Sequence, residues 1–447
     1  MKSDTGTAPT HIRYWILFLL FVVSTISYAD RGILSIAAAS VQKSLHITKI
    51  DLGYIFSAFA MTYAVAQIPG GFLLDRFGAK LVYIFALVLW SLFTLAHGFA
   101  GFFIGGAAVS FLFVMRFLVG LASAPGVPAN ARIVACWFPT SERGTASAIF
   151  NSTQYFAPFA FNWVLAWIVT RYGWPSSFYF MGILGLLAAL VFARFVQAPT
   201  RHPMINKAEF DHIQKNGALV HIEDKGAPSA AAFTWNNVRQ VLANRMLIGI
   251  YLGQYCINVL TYFFITWLPL YLVEDRHMPL MLAAQWSGQA ALVGFMGGVL
   301  GGIVSDWLLR LTGSVTFARK APLLAGMLLA TLIVGCNYTD SQSLMLVFMC
   351  CAFFGKGFAA LGWAVVSDTS PKQLVGVTGG VFNMAGNLAG IVTPIVFGYI
   401  IDRTHSYSLG LVFVGAHCII TILAYFLIVQ KIERLELKTA VASGARS

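Results

Sequence analysis

The stretch Gly-Gly-Phe-Leu-Leu-Asp-Arg at residues 70–76 returns as Gly-Gly-Ile-Val-Ser-Asp at residues 301–306, an offset of 231 residues. Three further features repeat at an offset of 232 residues: Pro139 and Pro371, Gly144 and Gly376, and Phe150-Asn151 and Phe382-Asn383. A nearly constant shift at four separate places indicates an internal duplication. The chain therefore consists of two related halves that run in the same orientation.

The regions around this repeat are strongly apolar. The 447-residue chain is 58% hydrophobic and only 10% charged, with a mean hydropathy of +0.76, which is typical of a polytopic membrane protein. A membrane-spanning helix needs about 20 apolar residues, and twelve such runs are present. They cover residues 14–40, 52–73, 81–103, 107–130, 144–170, 176–196, 246–273, 282–309, 321–339, 343–367, 376–401 and 409–430.

The order of these runs predicts the domain organisation. The sequence predicts an all-α membrane protein of twelve transmembrane helices in two parallel six-helix bundles, at residues 1–196 and 246–430. A polar stretch at 197–245, which contains Gly226-Ala-Pro-Ser229, predicts a solvated cytoplasmic linker, and 431–447 predicts a cytoplasmic tail.

The net charge of +12 reflects membrane topology. With the N-terminus inside, most of the 29 lysines and arginines fall on the cytoplasmic side, as the positive-inside rule requires. We therefore expect a multi-pass protein of the cell inner membrane with both termini cytoplasmic. The lipid bilayer is its expected surrounding, and nucleic acid is not an expected partner.

Asp30, Arg31, Arg116 and Lys356 each lie inside an apolar run. A charge at the centre of a bilayer costs a few kcal/mol even by low estimates, so such residues usually face a polar cavity or a partner. Three buried cations and one buried carboxylate predict a protein that handles an organic anion and a proton.

Asp30 and Arg31 are neighbours, and neighbouring residues on a helix point about 100° apart. Arg31 is therefore free to bind a substrate carboxylate, while Asp30 packs against another helix and exchanges a proton. A mutually neutralising structural pair is the alternative. Arg116 could instead bond helix carbonyls or balance Asp30, and Lys356, which lies between two glycines, could extend to the membrane interface.

Residues 71–80 predict a cytoplasmic gate at the end of the second span. Gly71 would allow close helix approach, and Asp75 would accept charge-assisted bonds from Arg76 or from backbone donors. Asp306 repeats Asp75 in the second half. Such a contact would hold the cytoplasmic side closed, whereas an ordinary polar turn is the alternative.

Uncharged polar residues in the spans predict the rest of a binding site. Amides and phenols both donate and accept hydrogen bonds, as a polyhydroxylated ligand requires, although each could equally join two helices. The residues are Tyr28, Tyr63, Gln154, Tyr155, Gln254, Asn258, Trp363 and Asn383. No metal-ligand spacing and no nucleophile–base set occurs, so we expect no metal, no cofactor and no enzyme activity.

Several strings resemble the anion:cation symporters of the major facilitator superfamily, and more narrowly the bacterial glucarate/galactarate permeases. The general strings are Tyr28-Ala-Asp30-Arg31, Gln67-Ile-Pro-Gly-Gly71 and Trp137-Phe-Pro-Thr-Ser-Glu142-Arg143-Gly144. The narrower ones are Ile149-Phe-Asn-Ser-Thr-Gln-Tyr-Phe156, Gly253-Gln-Tyr-Cys-Ile-Asn258, Thr261-Tyr-Phe-Phe-Ile-Thr-Trp267, Phe353-Phe-Gly-Lys-Gly357 and Gly362-Trp363.

The resemblance implies proton-driven import of a sugar-acid anion by alternating access, with protons as the coupling ion and a monomeric carrier. By motif position the substrate site would be lined by Tyr28, Arg31, Tyr63, Gln154, Trp363 and Asn383. Asp30 would carry the proton and Arg116 would couple it to substrate. Lys356 is our own addition, because a second cation suits a second carboxylate.

One departure concerns Ser123, where relatives carry a glutamate seven residues after the arginine that matches Arg116. We expect positions 116 and 123 to face the same cavity. Because serine cannot carry a proton at accessible pH, we expect altered coupling: fewer protons per cycle, or an arrested or exchange-only carrier. A non-transporting sugar-acid sensor and an exporter of another organic anion are the remaining alternatives.

Overall fold

The computed structural model describes residues 9–221, 235–371 and 374–436. Seventeen α-helices dominate this described part. In chain order they are α1 Ile12–Leu45, α2 Lys49–Phe77, α3 Ala79–His97, α4 Gly106–Ser123, α5 Gly126–Trp137, α6 Arg143–Tyr172, α7 Trp174–Phe195, α8 Lys207–Lys215, α9 Trp235–Ala243, α10 Arg245–Thr266, α11 Leu268–Glu274, α12 Leu280–Thr312, α13 Val315–Ala330, α14 Gln342–Phe358, α15 Gly362–Thr369, α16 Val375–Thr404 and α17 Ser408–Leu423. Short 3-10 segments cover Gly98–Phe102, Pro199–Arg201 and Thr331–Tyr338, and a π segment covers Ala424–Val429.

The described helices account for the twelve predicted spans. Ten helical stretches are long and apolar enough to cross a membrane, and α2 makes eleven once its two parts are joined across a bend of 50°. The bend falls at Pro69, because a proline inside a helix removes a hydrogen bond and displaces the preceding turn. The twelfth span is α6, which has 30 residues but carries amides such as Asn151 and Asn162.

The chain divides into two compact units. One comprises Met1–Ala227, Thr261–Phe295 and Gly390–Gly410, and the other Pro228–Leu260, Met296–Ala389 and Leu411–Ser447. In the first unit α3 packs on α7, α2 on α4 and α1 on α6, and in the second α13 packs on α14. The predicted domain boundaries remain predictions; residues 222–234 of the predicted linker and 437–447 of the predicted tail lie outside the described part.

Gly120 fixes the crossing of α2 and α4. A Cβ atom at this position would lie 2.3 Å from Thr62 Oγ1 and 2.4 Å from the Phe59 carbonyl oxygen. Thr62 Oγ1 also donates a hydrogen bond of 2.7 Å to the carbonyl of Phe117 on α4. This contact fixes the section of α4 that carries Arg116.

Glu209 joins the predicted linker to the start of α1. Its carboxylate, which is fully buried, accepts hydrogen bonds from the Thr10 hydroxyl at 2.6 Å and from the amides of Ile12 at 2.9 Å and Arg13 at 3.2 Å. The first amides of a helix have no partner within the helix, so Glu209 caps α1 from a distant position in the chain. The α8 segment therefore packs on the first bundle, where the sequence predicted a solvated connector.

We expect Glu209→Ala to lower the free energy of unfolding by about 2 kcal/mol, because the Thr10 hydroxyl and two helix amides lose their acceptor and the Arg13 guanidinium keeps only Glu142 of its two carboxylate partners. Burial raises the pKa of Glu209, but the bonds from Thr10, Ile12 and Arg13 outweigh it and lower the pKa overall. The stabilisation should therefore be complete at neutral pH and disappear as the pH falls below about 4.

Thermal unfolding of the purified protein in detergent over a series of pH values from 7 down to 3 measures this effect. Asp211→Ala on the same helix is the matched control and should leave the unfolding temperature nearly unchanged. Equal unfolding temperatures for the Glu209→Ala variant and the unmodified protein at pH 7 would contradict the capping role.

Candidate functional site

Arg31 lies in a cage of three aromatic rings in the first unit. Its guanidinium carbon is 4.5 Å from the centre of the Tyr28 ring, 4.8 Å from that of Tyr63 and 4.9 Å from that of Phe59. Aromatic faces stabilise a cation without neutralising it. Arg31 Nε is buried and has no hydrogen-bond partner in the described chain. The cage therefore holds a positive charge that can still bind an anion.

Asp30 points away from Arg31, as the helix geometry predicts. It is 3% exposed, and its Oδ2 accepts a hydrogen bond of 2.7 Å from Trp90 Nε1 on α3. Arg116 on α4 lies within electrostatic range of this carboxylate. The two adjacent residues thus have separate surroundings, one cationic and caged, the other acidic and buried.

Arg116 is 4% exposed, and its Nε and Nη2 have no hydrogen-bond partner among the described residues. The alternative that these two nitrogens bond helix carbonyls is therefore wrong in this structure. A buried guanidinium with unused donors is costly unless an acceptor becomes available, so Arg116 is poised to change partners.

A small cavity in the first unit lies beside the caged arginine. The residues that line it include Ser24, Tyr28, Arg31, Trp90, Ser123 and Asn130. Asn130 Nδ2 donates to Ser24 Oγ at 2.8 Å, while Asn130 Oδ1 is buried without a partner in the described chain. Both Arg31 and the Trp90 indole that binds Asp30 line this cavity.

Ser123 faces this cavity together with Arg31, whereas the sequence predicted that it shares a cavity with Arg116. The two positions lie on one face of α4, but a helix rises 1.5 Å per residue, which separates them by about 10 Å along its axis. They therefore lie at different levels of the bundle. A side chain at position 123 acts on the Arg31 cavity.

Gln154 and Tyr155 on α6 complete the predicted set in the first unit. Gln154 is exposed and donates from Nε2 to the Asn151 carbonyl at 3.1 Å. The Tyr155 ring packs 6.0 Å from that of Phe295. Tyr28, Arg31 and Tyr63 are brought together, and Tyr155 lies within electrostatic range of Tyr28.

The second unit has its own polar group on α10 and α16. Asn258 Nδ2 donates to the Gln254 carbonyl at 2.9 Å, and a Cβ atom at Gly386 would lie 2.9 Å from Asn258 Nδ2. Gly386 therefore provides room for these amides. Asn383 accepts a bond of 2.9 Å from Asn387 Nδ2 through its carbonyl, which leaves its side chain outside that contact.

Trp363 and Lys356 differ in exposure. Trp363 is 58% exposed and packs edge-on against Phe382, with ring centres 5.1 Å apart. Lys356 is 6% exposed, and its Nζ lies 5.5 Å from the centre of the Phe353 ring, so it does not extend to the membrane interface. The flanking Gly355 has the close helix approach that the sequence predicted.

The predicted gate residues have different partners from those expected. Asp75 accepts from Arg132 on α5 at 2.6 Å, not from Arg76. In the second unit Asp306 pairs with Arg319 at 3.2 Å, and Arg319 also reaches Asp368 at 2.9 Å. The acidic residues repeat between the halves, but their cationic partners come from non-equivalent helices.

Gly71 does not mediate close helix approach in this structure, because a Cβ atom there would meet nothing within 4 Å. The neighbouring Gly70 does, since its Cβ would lie 3.2 Å from Pro125. Close helix packing therefore occurs at Gly70 and not at Gly71, where the sequence predicted it.

Sequence reasoning missed Trp90 and Asn130. Trp90 resembled one more aromatic residue in an apolar run, and its role follows only from the hydrogen bond that its indole donates to Asp30 of α1. Asn130 offered a weak signal, because an asparagine inside the apolar run 107–130 needs a polar partner.

The family model described as Major Facilitator Superfamily matches residues 20–318 and 310–445. The chain belongs to the major facilitator superfamily. It therefore has that superfamily's fold of twelve transmembrane helices in two six-helix bundles, and it is a multi-pass transporter rather than an enzyme. The family named from the sequence motifs is confirmed.

Two curated relatives and one solved structure show the extent of the similarity. A probable galactarate/D-glucarate transporter, GudP, of Bacillus subtilis (strain 168) is 52% identical over 443 residues, which cover 98% of this chain and 97% of that protein. The protein of the same description from Escherichia coli (strain K12) is 48% identical over 431 residues, 96% of each chain.

The solved structure is a bacterial homologue of the human lysosomal transporter Spinster, in an inward-facing and unoccupied conformation. It superposes with a TM-score of 0.73 at 17% identity and covers 96% of this chain and 98% of that chain. At this identity the likeness shows the superfamily fold alone.

Proposed function

We propose that the protein imports a sugar-acid anion of the galactarate/glucarate type together with a proton. The observation that carries the proposal is the caged Arg31, a half-buried cation that lines a cavity and is adjacent to a buried carboxylate. A planar guanidinium binds a carboxylate through two parallel hydrogen bonds. Curated relatives near 50% identity carry the matching description.

The proposed roles follow the geometry of each unit. In the first unit Arg31 binds a carboxylate, Tyr28 and Tyr63 orient it, and Asp30 carries the proton. In the second unit Lys356 suits the second carboxylate of an aldarate, and the amides of Gln254 and Asn258 suit its hydroxyls. We propose protons as the coupling ion without an organic cofactor, and a monomer in the inner membrane with both termini cytoplasmic.

Alternating access is supported by contacts at one end of the first unit. The Lys49 ammonium at the start of α2 pairs with Glu274 at the end of α11, and the Tyr407 hydroxyl donates to the same carboxylate at 2.8 Å. Ser35 Oγ on α1 donates to the Thr266 carbonyl at 2.8 Å. We propose that these contacts close the periplasmic side and break when it opens.

We propose that one proton moves per cycle. Asp30 is the buried carboxylate of the cavity region, and Ser123 lies where the permeases resembled by the sequence have a second carboxylate. Because a serine hydroxyl stays protonated, Asp30 is left as the single carrier. The coupling should therefore be weaker than in a carrier with two carboxylates.

Uptake into proteoliposomes tests the function. The purified protein is reconstituted, and entry of labelled galactarate and glucarate is measured with and without an inward proton gradient at zero membrane potential. Accumulation that requires the gradient supports the proposal. Counterflow without gradient-driven accumulation would show a carrier without coupling, and the absence of both would refute transport of these anions.

Restoring the carboxylate gives a sharper prediction. We expect Ser123→Glu to raise the limiting accumulation ratio by about tenfold at a gradient of one pH unit, because a second transported proton adds about 1.4 kcal/mol. The neutral isostere Ser123→Gln is the matched control and should leave the ratio unchanged. Equal ratios for the glutamate and glutamine variants would contradict the single-carrier account.

A further inference from the structure

His97 is a buried, titratable residue that the proposed mechanism does not yet use. It ends α3, is 1% exposed and stacks on Phe178 of α7, with ring centres 5.1 Å apart and planes 5° apart. Its Nδ1 lies 2.8 Å from the Phe93 carbonyl oxygen. A carbonyl can only accept, so Nδ1 carries the ring proton and Nε2 is an acceptor.

His97 Nε2 can accept a hydrogen bond but has no donor, while two donors of Arg116, Nε and Nη2, have no acceptor among the described residues. Nε2 is buried without a hydrogen-bond partner in the described chain, and the same holds for Nε and Nη2 of Arg116. The charge of Arg116 acts on both His97 and Asp30. Arg116 thus lies within electrostatic range of an anionic acceptor and of a neutral one.

We propose that Arg116 changes partner with the protonation of Asp30: it pairs with the ionised carboxylate, and it donates to His97 Nε2 once that carboxylate is protonated. The proposal rests on the proposed function, in which Asp30 carries the coupled proton. The proton enters and leaves at the Asp30 carboxylate, Arg116 keeps its charge throughout, and His97 stays neutral with its proton on Nδ1.

The surroundings of His97 support this assignment. Besides Arg116 of α4, the packed elements present few ionisable groups: α7 contributes the neutral Phe178 and, next to it, Tyr179, which packs on Gly98. The 3-10 segment Gly98–Phe102 contains no titratable residue.

The ionisable groups of the remaining elements lie elsewhere. Arg132 of α5 is paired with Asp75 at the far end of α2, and Tyr63 of α2 faces Arg31 of α1. Of these described groups, Arg116 is therefore the charged donor within electrostatic range of His97.

The switch makes Asp30 easier to protonate, because His97 Nε2 then accepts the hydrogen bond that the buried Arg116 guanidinium loses when the carboxylate is neutralised. Removing the His97 acceptor should remove this stabilisation. His97→Phe keeps the stacking on Phe178. In this variant we expect half-protonation of Asp30 to require about a tenfold higher proton concentration, so the midpoint of its titration should shift by about one unit to lower pH. His97→Gln restores an acceptor and should return the midpoint toward that of the unmodified protein.

The experiment uses the full-length protein in proteoliposomes and two measurements. Infrared difference spectroscopy follows the carboxylic-acid C=O band of Asp30 against pH, with Asp30→Asn to assign the band. The pH dependence of labelled galactarate uptake follows the same group functionally. A lower midpoint in the phenylalanine variant and recovery in the glutamine variant support the switch.

Other outcomes overturn the switch. An unchanged midpoint in His97→Phe, or an equal shift in both variants, would show that His97 only packs against α7. Failure of the proposed function is separate, because it appears as absent galactarate uptake by the unmodified protein. The infrared titration still tests the partner change in that case.

Discussion

Replacing Arg31 by glutamine is expected to reduce galactarate uptake by about 30-fold or more. The guanidinium is held by three aromatic rings and is the cation beside the cavity of the first unit. Removing one partner of a buried, hydrogen-bonded charge pair costs about 2–5 kcal/mol, mostly because the other charge stays unpaired. The loss should appear mainly as a higher KM and weaker equilibrium binding.

Arg31→Lys is expected to recover only part of the activity. An ammonium keeps the charge, but it lacks the planar fork that binds both carboxylate oxygens, and it stacks less well on the rings of Tyr28 and Tyr63. Arg171→Gln is the matched control, since Arg171 is an exposed arginine at the end of α6. Galactarate affinity in Arg31→Gln equal to that of the Arg171→Gln control would eliminate Arg31 as the anion site.

The sequence predicted those features that depend on a single helix. The divergence of Asp30 and Arg31 follows from the helix period alone, and the structure shows it as a bond to Trp90 on one side and an aromatic cage on the other. The twelve spans follow from the length of the apolar runs, including the run 144–170 that forms most of α6, although α6 is not among the ten helical stretches that are long and apolar enough by composition.

The features that the sequence did not predict depend on which helices meet. Nothing in residues 70–80 identifies Arg132 as the partner of Asp75, because the pairing is set by the packing of α5 beside α2. The internal repeat places Asp75 and Asp306 at matching positions, but their partners lie on different helices, Arg132 on α5 and Arg319 on α13.

Burial without a partner is likewise invisible in a sequence. His97 reads as one more residue of the apolar run 81–103, and only the coordinates show that its Nε2 lacks a donor while Nε and Nη2 of Arg116 lack an acceptor. Glu209 reads as one charge of a solvated linker, yet it is fully buried and caps α1. Both depend on tertiary contacts that hydrophobic periodicity does not encode.

Replacing Asp30 by asparagine is expected to abolish gradient-driven accumulation. At zero membrane potential, one transported proton supports a limiting concentration ratio of about 100 for a gradient of two pH units, since each unit contributes a factor of ten. Asparagine still accepts a hydrogen bond from Trp90 but carries no exchangeable proton, so the ratio should fall to about one. Counterflow of labelled galactarate, which needs no gradient, should remain detectable.

The two measurements in the Asp30→Asn variant distinguish coupling from binding. Asp340→Asn, which changes an exposed carboxylate outside the predicted spans, is the matched control and should keep the full ratio. Loss of counterflow together with accumulation would show that Asp30 positions Arg31 or Arg116 for binding. Accumulation that survives in Asp30→Asn would contradict the proton role, because a buried amide cannot take up and release a proton during each cycle.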